Sequence, residues 1–269
     1  MGSTLDAPTV RVTVRPDRVD EVSGRLWLAG ATAVGEVPEP GRITLVASFD
    51  RRPDAESAAA TVGGEVVDVD PGAGLDGWRA FAEPVRAGRL LVVPAWLEPP
   101  RPDAATVVVP IDPGRVFGHG AHPTTRLLLE ELDRRVSGGE QVLDVGCGSG
   151  VLAVAAARLG AGRVVGIDID PDAVEVTRAN AGRNGVTVEA ATSPLAEVAG
   201  TFDLVLANIG ATVLREQARE LEARVAPGGV LVLSGLLRGR WDDVAACYAG
   251  TATSAELEGW VALVVSSSP

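Results

Sequence analysis

The chain contains no lysine: its 24 basic residues are all arginine, they face 36 acidic ones, and the formal net charge is -12. Sequence-independent affinity for a phosphate backbone comes from cations, so direct nucleic-acid binding is not expected, and a basic partner suits the chain better. The absent lysine also excludes a phosphate-binding P-loop. We ascribe the exclusive use of arginine to coding bias rather than to a site. Cysteine is almost missing as well. Cys147 and Cys247 stand far apart, no secretory leader precedes them, and a reducing cytoplasmic compartment is the expectation. Two histidines and two cysteines at these separations match no zinc-site spacing, so no metal is expected. Every apolar run is interrupted by Pro, Gly or a charge before the roughly 18–20 residues of a membrane span, and a soluble protein is expected.

What is present is enough for a sizeable core: 269 residues, 46% hydrophobic and 22% charged. That length favours two domains. In the first part, "TVRVTV" alternates with period two, and the next stretch carries Val19, Val22, Leu26 and Trp27 at helical spacing. With a short strand near 33–37, "GRITLVASF", a helix ending in Gly-Gly and "EVVDVD", the order is β-α-β-β-α-β, a small α+β ferredoxin-like domain over residues 1–93. Residues 94–113 contain six prolines and read as a semi-rigid connector holding one strand. From 114 to 269, apolar strands alternate with helices, the mark of a parallel, doubly wound sheet. One helix is expected from about 211 to 226, with Leu214, Ala218, Leu221 and Val225 on its apolar face.

The segment "VLDVGCGSGVLAVAAARLG" ends a strand at Asp144 and sets glycines at 146, 148 and 150 ahead of a helix. Glycines there allow a tight turn and a close approach to amides at a helix N-terminus, although a ligand-free turn explains the triplet equally well. Asp168 closes the next strand about 20 residues on, where a carboxylate can accept both hydroxyls of a ribose. Asp170 is an alternative for that duty, or simply an exposed charge. The dinucleotide pattern fails, because its third glycine would fall on Val151. Ser149 is one position out of register with a hydrolase nucleophile elbow, and Cys147 has no base beside it.

The spacing D-x-G-x-G-x-G resembles the first motif of class I S-adenosylmethionine-dependent methyltransferases, and the resemblance runs through the second domain. It implies a Rossmann-like methyltransferase sheet in which Gly146, Gly148 and Gly150 pass under the amino-acid end of the cofactor and Asp168 holds its ribose. Both histidines lie in "FGHGAHPTT", residues 117–125, just before the glycines, and "VLANI" occupies 205–209. This pairing, with the N-terminal domain, is similar to the methyltransferases that act on ribosomal protein L11, over nearly the full chain. The resemblance implies that the loop folds over S-adenosylmethionine with Phe117, Thr124 and Thr125 against it, and that His119 and His122 shape the loop. His119 departs from the family's usual threonine. After Val188 the segment "EAATSPL" offers no acid beyond Glu189 at the place where many class I enzymes aim one at the adenine amine, and Thr192 or Ser193 is the substitute there.

Methyl transfer from a sulfonium needs a neutral nucleophile held in line, not a general base. Asn208, at the end of the fourth strand of the second domain, can accept an N–H from an incoming amine, or it can cap the next helix. The residues leave both open; the resemblance implies the site role, catalytic and cofactor-binding. The expected acceptor is a lysine or N-terminal amine of a basic ribosomal protein, with a small-molecule methyltransferase as the alternative and a monomer as the expected state.

Overall fold

The computed structural model describes residues 8–31, 33–39, 41–49, 51–68, 79, 82–114, 116–239 and 241–266. They fall into two compact units, Met1–Ala82 and Glu83–Pro269.

The first unit carries β1 (Pro8–Val14), α1 (Val19–Leu28), β2 (Ala33–Glu39), β3 (Arg42–Ser48), α2 (Arg52–Val62) and β4 (Glu65–Asp68). The strands pair antiparallel in the order β2-β3-β1-β4, the split βαβ arrangement that the β-α-β-β-α-β order predicts. Period-two strands send Val10, Leu45 and Ala47 to one face, where they meet Val22 and Leu26 of α1 and Ala55 and Ala58 of α2. Helix α2 stops at Gly63, whose φ of 70° is the left-handed C-terminal turn that glycine adopts without a steric penalty.

The second unit begins earlier than the sequence pattern suggests. The expected boundary at residue 93 and the connector 94–113 give way to a division at Ala82, and β5 (Val85–Ala87), β6 (Leu90–Pro94) and β7 (Val107–Ile111) form a separate three-stranded sheet inside the second unit. The reason is burial. All five residues of β6 are buried, and Leu90, Val92, Val109 and Ile111 join one apolar cluster with α3 (Pro123–Arg135) and α4 (Val151–Arg158). Residues Val151 to Ala156 of α4 are buried without a break, so that helix has no polar face and must be covered on every side. Strand β7 supplies part of the cover.

The main sheet has the order β10-β9-β8-β11-β12-β14-β13. Its parallel part comprises β8 (Gln141–Val145), β9 (Arg163–Ile167), β10 (Glu189–Ala191), β11 (Phe202–Asn208) and β12 (Val225–Leu237). The hairpin of β13 (Thr251–Leu257) and β14 (Trp260–Ser266) closes the edge, with β14 antiparallel to β12. Strand order runs outward from β8 to β10 and then returns to β11 beside β8. A crevice opens at such a reversal, outside the carboxyl ends of the strands. Helix α5 (Pro171–Arg183) follows β9.

The helix expected over 211–226 is two short ones, α6 (Ala211–Glu216) and α7 (Ala218–Ala223), separated at Gln217. Leu214, Ala218 and Leu221 are buried as the spacing predicts, but Val225 opens β12 instead of closing a helix. The chain must turn there, because the Arg224 carbonyl accepts the Phe202 N–H at the start of β11. A one-turn helix α8 (Asp242–Ala245) precedes the closing hairpin. Among the described residues no helix is long and apolar enough to cross a membrane.

Candidate active site

The glycine loop leaves β8 with Gly146, Gly148 and Gly150 at φ values of 75°, 52° and 77°, all left-handed. Other residues would be strained there, and the protein itself fills the missing Cβ space. A Cβ on Gly146 would run into Ile209 Cγ2, one on Gly148 would lie 2.6 Å from the Phe117 carbonyl oxygen, and one on Gly150 would lie 2.8 Å from the Thr177 side chain. The glycines therefore let three other segments close in on the loop. The amides of Gly146 and Cys147 both donate to the Ile167 carbonyl, at 2.8 and 3.0 Å, which ties the loop to the end of β9. Cys147 is buried, and burial pushes its thiol up to about 12, so it is an inert small residue of the loop.

Asp168 stands half-buried at the exit of β9. Its Oδ2 accepts the Gly148 N–H at 2.9 Å and its Oδ1 accepts the Asp170 N–H at 3.0 Å. Both oxygens keep lone pairs for a further donor, and the carboxylate is held in one orientation before any ligand arrives. Asp170, the alternative at this place, is the N-cap of α5 and accepts the Asp172 N–H at 2.9 Å. Between them Ile169 is 98% exposed, a large apolar side chain beside a site carboxylate. Thr192 and Ser193 are both exposed past β10.

Asp144, the last acid of β8, is 1% exposed. Its Oδ2 accepts the Ala153 N–H in the first turn of α4 at 3.1 Å, while Oδ1 has no partner. Burial, and then the charge of Asp168, push its carboxyl up to about 7.

The loop 117–125 is stapled to the glycines through Ser149. Ser149 N–H donates to the Phe117 carbonyl at 2.9 Å, and its hydroxyl donates to the Gly118 carbonyl at 2.6 Å. Gly118 and Gly120 have φ of 110° and 94°, and a Cβ on Gly120 would reach 2.8 Å from Val92 of β6, so the loop is wedged between β6 and the glycine loop. Ser149→Ala leaves a buried carbonyl without its donor, and we expect a loss of about 1–3 kcal/mol of stability in urea unfolding. An unchanged midpoint would show that the loop does not depend on this hydroxyl.

The histidines shape backbone. Nδ1 of His119 accepts the Ala121 N–H at 3.3 Å, and Nδ1 of His122 accepts the Thr124 N–H at 3.3 Å as the N-cap of α3. His122 lies edge-on between Phe117 and Trp260, at 5.5 and 5.0 Å between ring centres, and burial lowers its pKa to about 4. A ring that sheds its proton at that pH is a weak base at neutrality. The Thr124 hydroxyl pairs with His122 at 2.7 Å, which gives this threonine a cap role inside the loop. Phe117, by contrast, is 43% exposed.

Thr125 is buried, and its Oγ1 receives Nδ2 of Asn208 at 3.4 Å across 83 residues of chain. Asn208 does not cap α6, because the N-cap is Gly210 and no side chain bonds there. Ile209 sits between Gly146 on one side and Gly235, at φ of 90°, on the other; a Cβ on Gly235 would meet the Ile209 carbonyl oxygen at 2.5 Å. This clamp holds Asn208 at the mouth of the crevice. Asn180 of α5 adds a last tie, donating to the carbonyls of Asp112 and Ser149 at 2.9 and 2.8 Å. Sequence pattern offered no sign of Gly235, Thr177 or Asn180, whose partners are remote in the chain; Ile169 left a trace, as an apolar residue between two acids. Among the described residues, no cluster of histidine, cysteine and carboxylates could hold a metal ion.

A parallel sheet reversing beside a left-handed glycine loop, with a carboxylate one strand further, defines a Rossmann-like methyltransferase fold. The family model of ribosomal protein L11 methyltransferase (PrmA) matches residues 53–268. The chain is 56% identical over 162 residues to the ribosomal protein L11 methyltransferase of Geobacter metallireducens, covering 60% of this chain but only 54% of that protein. It is 44% identical over 237 residues to the protein of the same name from Cupriavidus metallidurans, covering 82% of this chain and 77% of the other. The crystal structure of a ribosomal protein L11 methylase from Lactobacillus delbrueckii subsp. bulgaricus superposes with a TM-score of 0.64 at 28% identity, over 70% of this chain and all of that one. The chain belongs to the ribosomal protein L11 methyltransferase (PrmA) family.

Proposed function

We propose that this chain is a protein N-methyltransferase that moves methyl groups from S-adenosylmethionine to lysine or N-terminal amines of ribosomal protein L11. The observation that carries the reading is the Asn208–Thr125 pair at the sheet reversal, which joins the loop 117–125 to the carboxyl end of β11. The site fits the cofactor in three respects. Asp168 offers two oriented oxygens to a ribose, Ile169 offers an apolar wall to a purine, and the orphan Oδ1 of Asp144 is a buried acceptor suited to a cationic group. Phe117 and the glycine loop bound the same crevice from the other side.

Bound S-adenosylmethionine supplies a methyl group already activated by its sulfonium. The protein's part is to orient and desolvate a neutral amine. Asn208 donates through Nδ2 to Thr125, which leaves Oδ1 to accept an N–H of the incoming amine and to aim its lone pair. A lysine amine, with an ordinary pKa near 10.4, must shed its proton to solvent before it can attack. His122 is no acceptor for that proton, since burial disfavours its charged form and its Nδ1 is engaged with Thr124. The N-terminal unit is assigned to substrate recognition, and the chain acts as a cytoplasmic monomer on a basic protein without itself contacting nucleic acid.

The test is to incubate the protein with methyl-labelled S-adenosylmethionine and the proteins of an unmethylated ribosome. Label in L11 is expected; label only in a metabolite extract would replace this reading with a small-molecule methyltransferase. Asn208→Ala should keep the cofactor bound and lower kcat about a hundredfold, the usual scale for loss of a positioning hydrogen bond at a reacting centre. Undiminished kcat would remove Asn208 from the site.

A further inference from the structure

Two residues that meet across 132 positions of chain each occupy a place their local structure disfavours. Arg126 lies in the first turn of α3, where no acidic residue stands and where the helix dipole opposes a cation. Glu258 lies in the turn of the closing hairpin, which Leu257 and Trp260 flank as a pair. Glu258 and Gly259 have φ of 51° and 82°, and among the described residues Glu258 is the one non-glycine with a left-handed φ. Such two-residue turns favour asparagine or aspartate followed by glycine, and a longer side chain is strained there. Arg126 Nη1 donates to Glu258 Oε1 at 2.9 Å. Stability is a poor reason for the pair, because side chains 32% and 61% exposed gain little from one surface contact. Local preference given up at two remote positions for a single contact marks a place where geometry is required.

What the contact fixes is the start of α3. Arg126 N–H donates to the His122 carbonyl at 3.0 Å, and the neighbouring Thr125 receives Asn208 at 3.4 Å. Leu128, Leu129 and Leu132 of α3 pack in one cluster with Ala262 and Val264 of β14, but apolar packing carries no direction. Leu237 pairs with Trp260, and the Arg238 N–H donates to the Gly259 carbonyl at 2.9 Å, so the end of β12 anchors the tip of the hairpin. The ion pair ties the first turn of α3 to that anchored tip, one residue from Thr125 and two residues from Trp260, which lies against His122. We propose that Arg126 and Glu258 are positioning residues for methyl transfer, a strut that holds loop 117–125 and the Thr125 hydroxyl within reach of Asn208. The proposal rests on the methyltransferase reading for its effect on turnover, and on geometry alone for its effect on the loop.

The test uses the full chain with Glu258→Asn, with Arg126→Gln, and with the swapped pair Arg126→Glu and Glu258→Arg. Glu258→Asn gives the turn a favoured residue while removing the partner of Arg126, so its melting temperature should equal or exceed that of wild type. Its kcat in the methylation assay should nevertheless fall about tenfold, with KM for the ribosomal protein within about twofold, the scale of a small misplacement at a reacting centre. Arg126→Gln should do the same. The swapped pair restores the contact and should recover kcat to within about threefold of wild type. In the ligand-free protein, hydrogen exchange at the Thr124 and Arg126 amides should run at least about tenfold faster in both single variants. Unchanged kcat and exchange in either single variant, a loss of kcat that follows the melting temperature downward, or a swapped pair as slow as the single variants would overturn the proposal. If the wild-type chain methylates no ribosomal protein, the activity proposed above fails, and the exchange rates by themselves decide for or against the strut.

Discussion

Asp168→Ala should weaken S-adenosylmethionine binding by at least about a hundredfold in calorimetry, or roughly 3 kcal/mol, the loss of two charged hydrogen bonds at about 1.5 kcal/mol each. The residue also accepts the amides of Gly148 and Asp170, so the substitution removes two internal bonds and should lower the melting temperature of the ligand-free protein. These two effects separate the site role from a structural one. Asp168→Asn retains one carbonyl acceptor but loses the charge, and should fall between wild type and alanine in affinity. If the alanine variant melts lower yet binds the cofactor as tightly as wild type, Asp168 is a staple of the glycine loop and the ribose assignment fails.

At pH 8, Asp144→Asn should make the ligand-free protein more stable, by an amount approaching about 4 kcal/mol, the linkage equivalent of a pKa raised from 3.8 to about 7. Below pH 3.8 the carboxyl is protonated in both folded and unfolded chains and costs nothing. Between 3.8 and about 7 the unfolded chain ionises while the buried carboxyl keeps its proton, so the folded state binds more protons and stability falls as pH rises. Above about 7 the loss is complete and level. His122 acts in the opposite sense: its folded pKa is lowered from 6.5 to about 4, so it is a source of stability that grows as pH rises between those values. The difference between wild type and Asp144→Asn cancels the histidine. Urea unfolding from pH 4 to pH 8 should show the two proteins diverging as pH rises; parallel curves would mean that the carboxyl is not carried neutral in the fold. The same variant should bind S-adenosylmethionine more weakly, because asparagine keeps a carbonyl acceptor but loses the negative charge that the carboxylate can offer to the cofactor's cationic end.

Periodicity along the chain was enough to read the two larger sheets and most helices, but not the three-stranded sheet, because one apolar face leaves a period of two in a strand and 3.6 in a helix wherever the neighbours are. The glycine loop and Asp168 were legible for a similar reason: left-handed turns demand glycine, and the distance from one parallel strand to the next is set by the helix between them. The second domain's true beginning was not legible. "LLVVP" looks the same whether it is buried in the first sheet or against α4, and nothing local tells the two apart. The long helix over 211–226 was misread because its apolar spacing continues through a break imposed by the turn into β12.

Roles that depend on a partner lay further out of reach. Asn208 could cap a helix or serve the site, and the cap was excluded only once Gly210 was found there and Thr125, 83 residues away, at its amide. Ser149 was merely a failed nucleophile until its hydroxyl met Gly118. The chain's own order thus specifies which segments turn, extend or coil, since those preferences act over a few residues. Which side chain satisfies which buried donor depends on strand order and burial, and those exist once distant segments have been brought side by side.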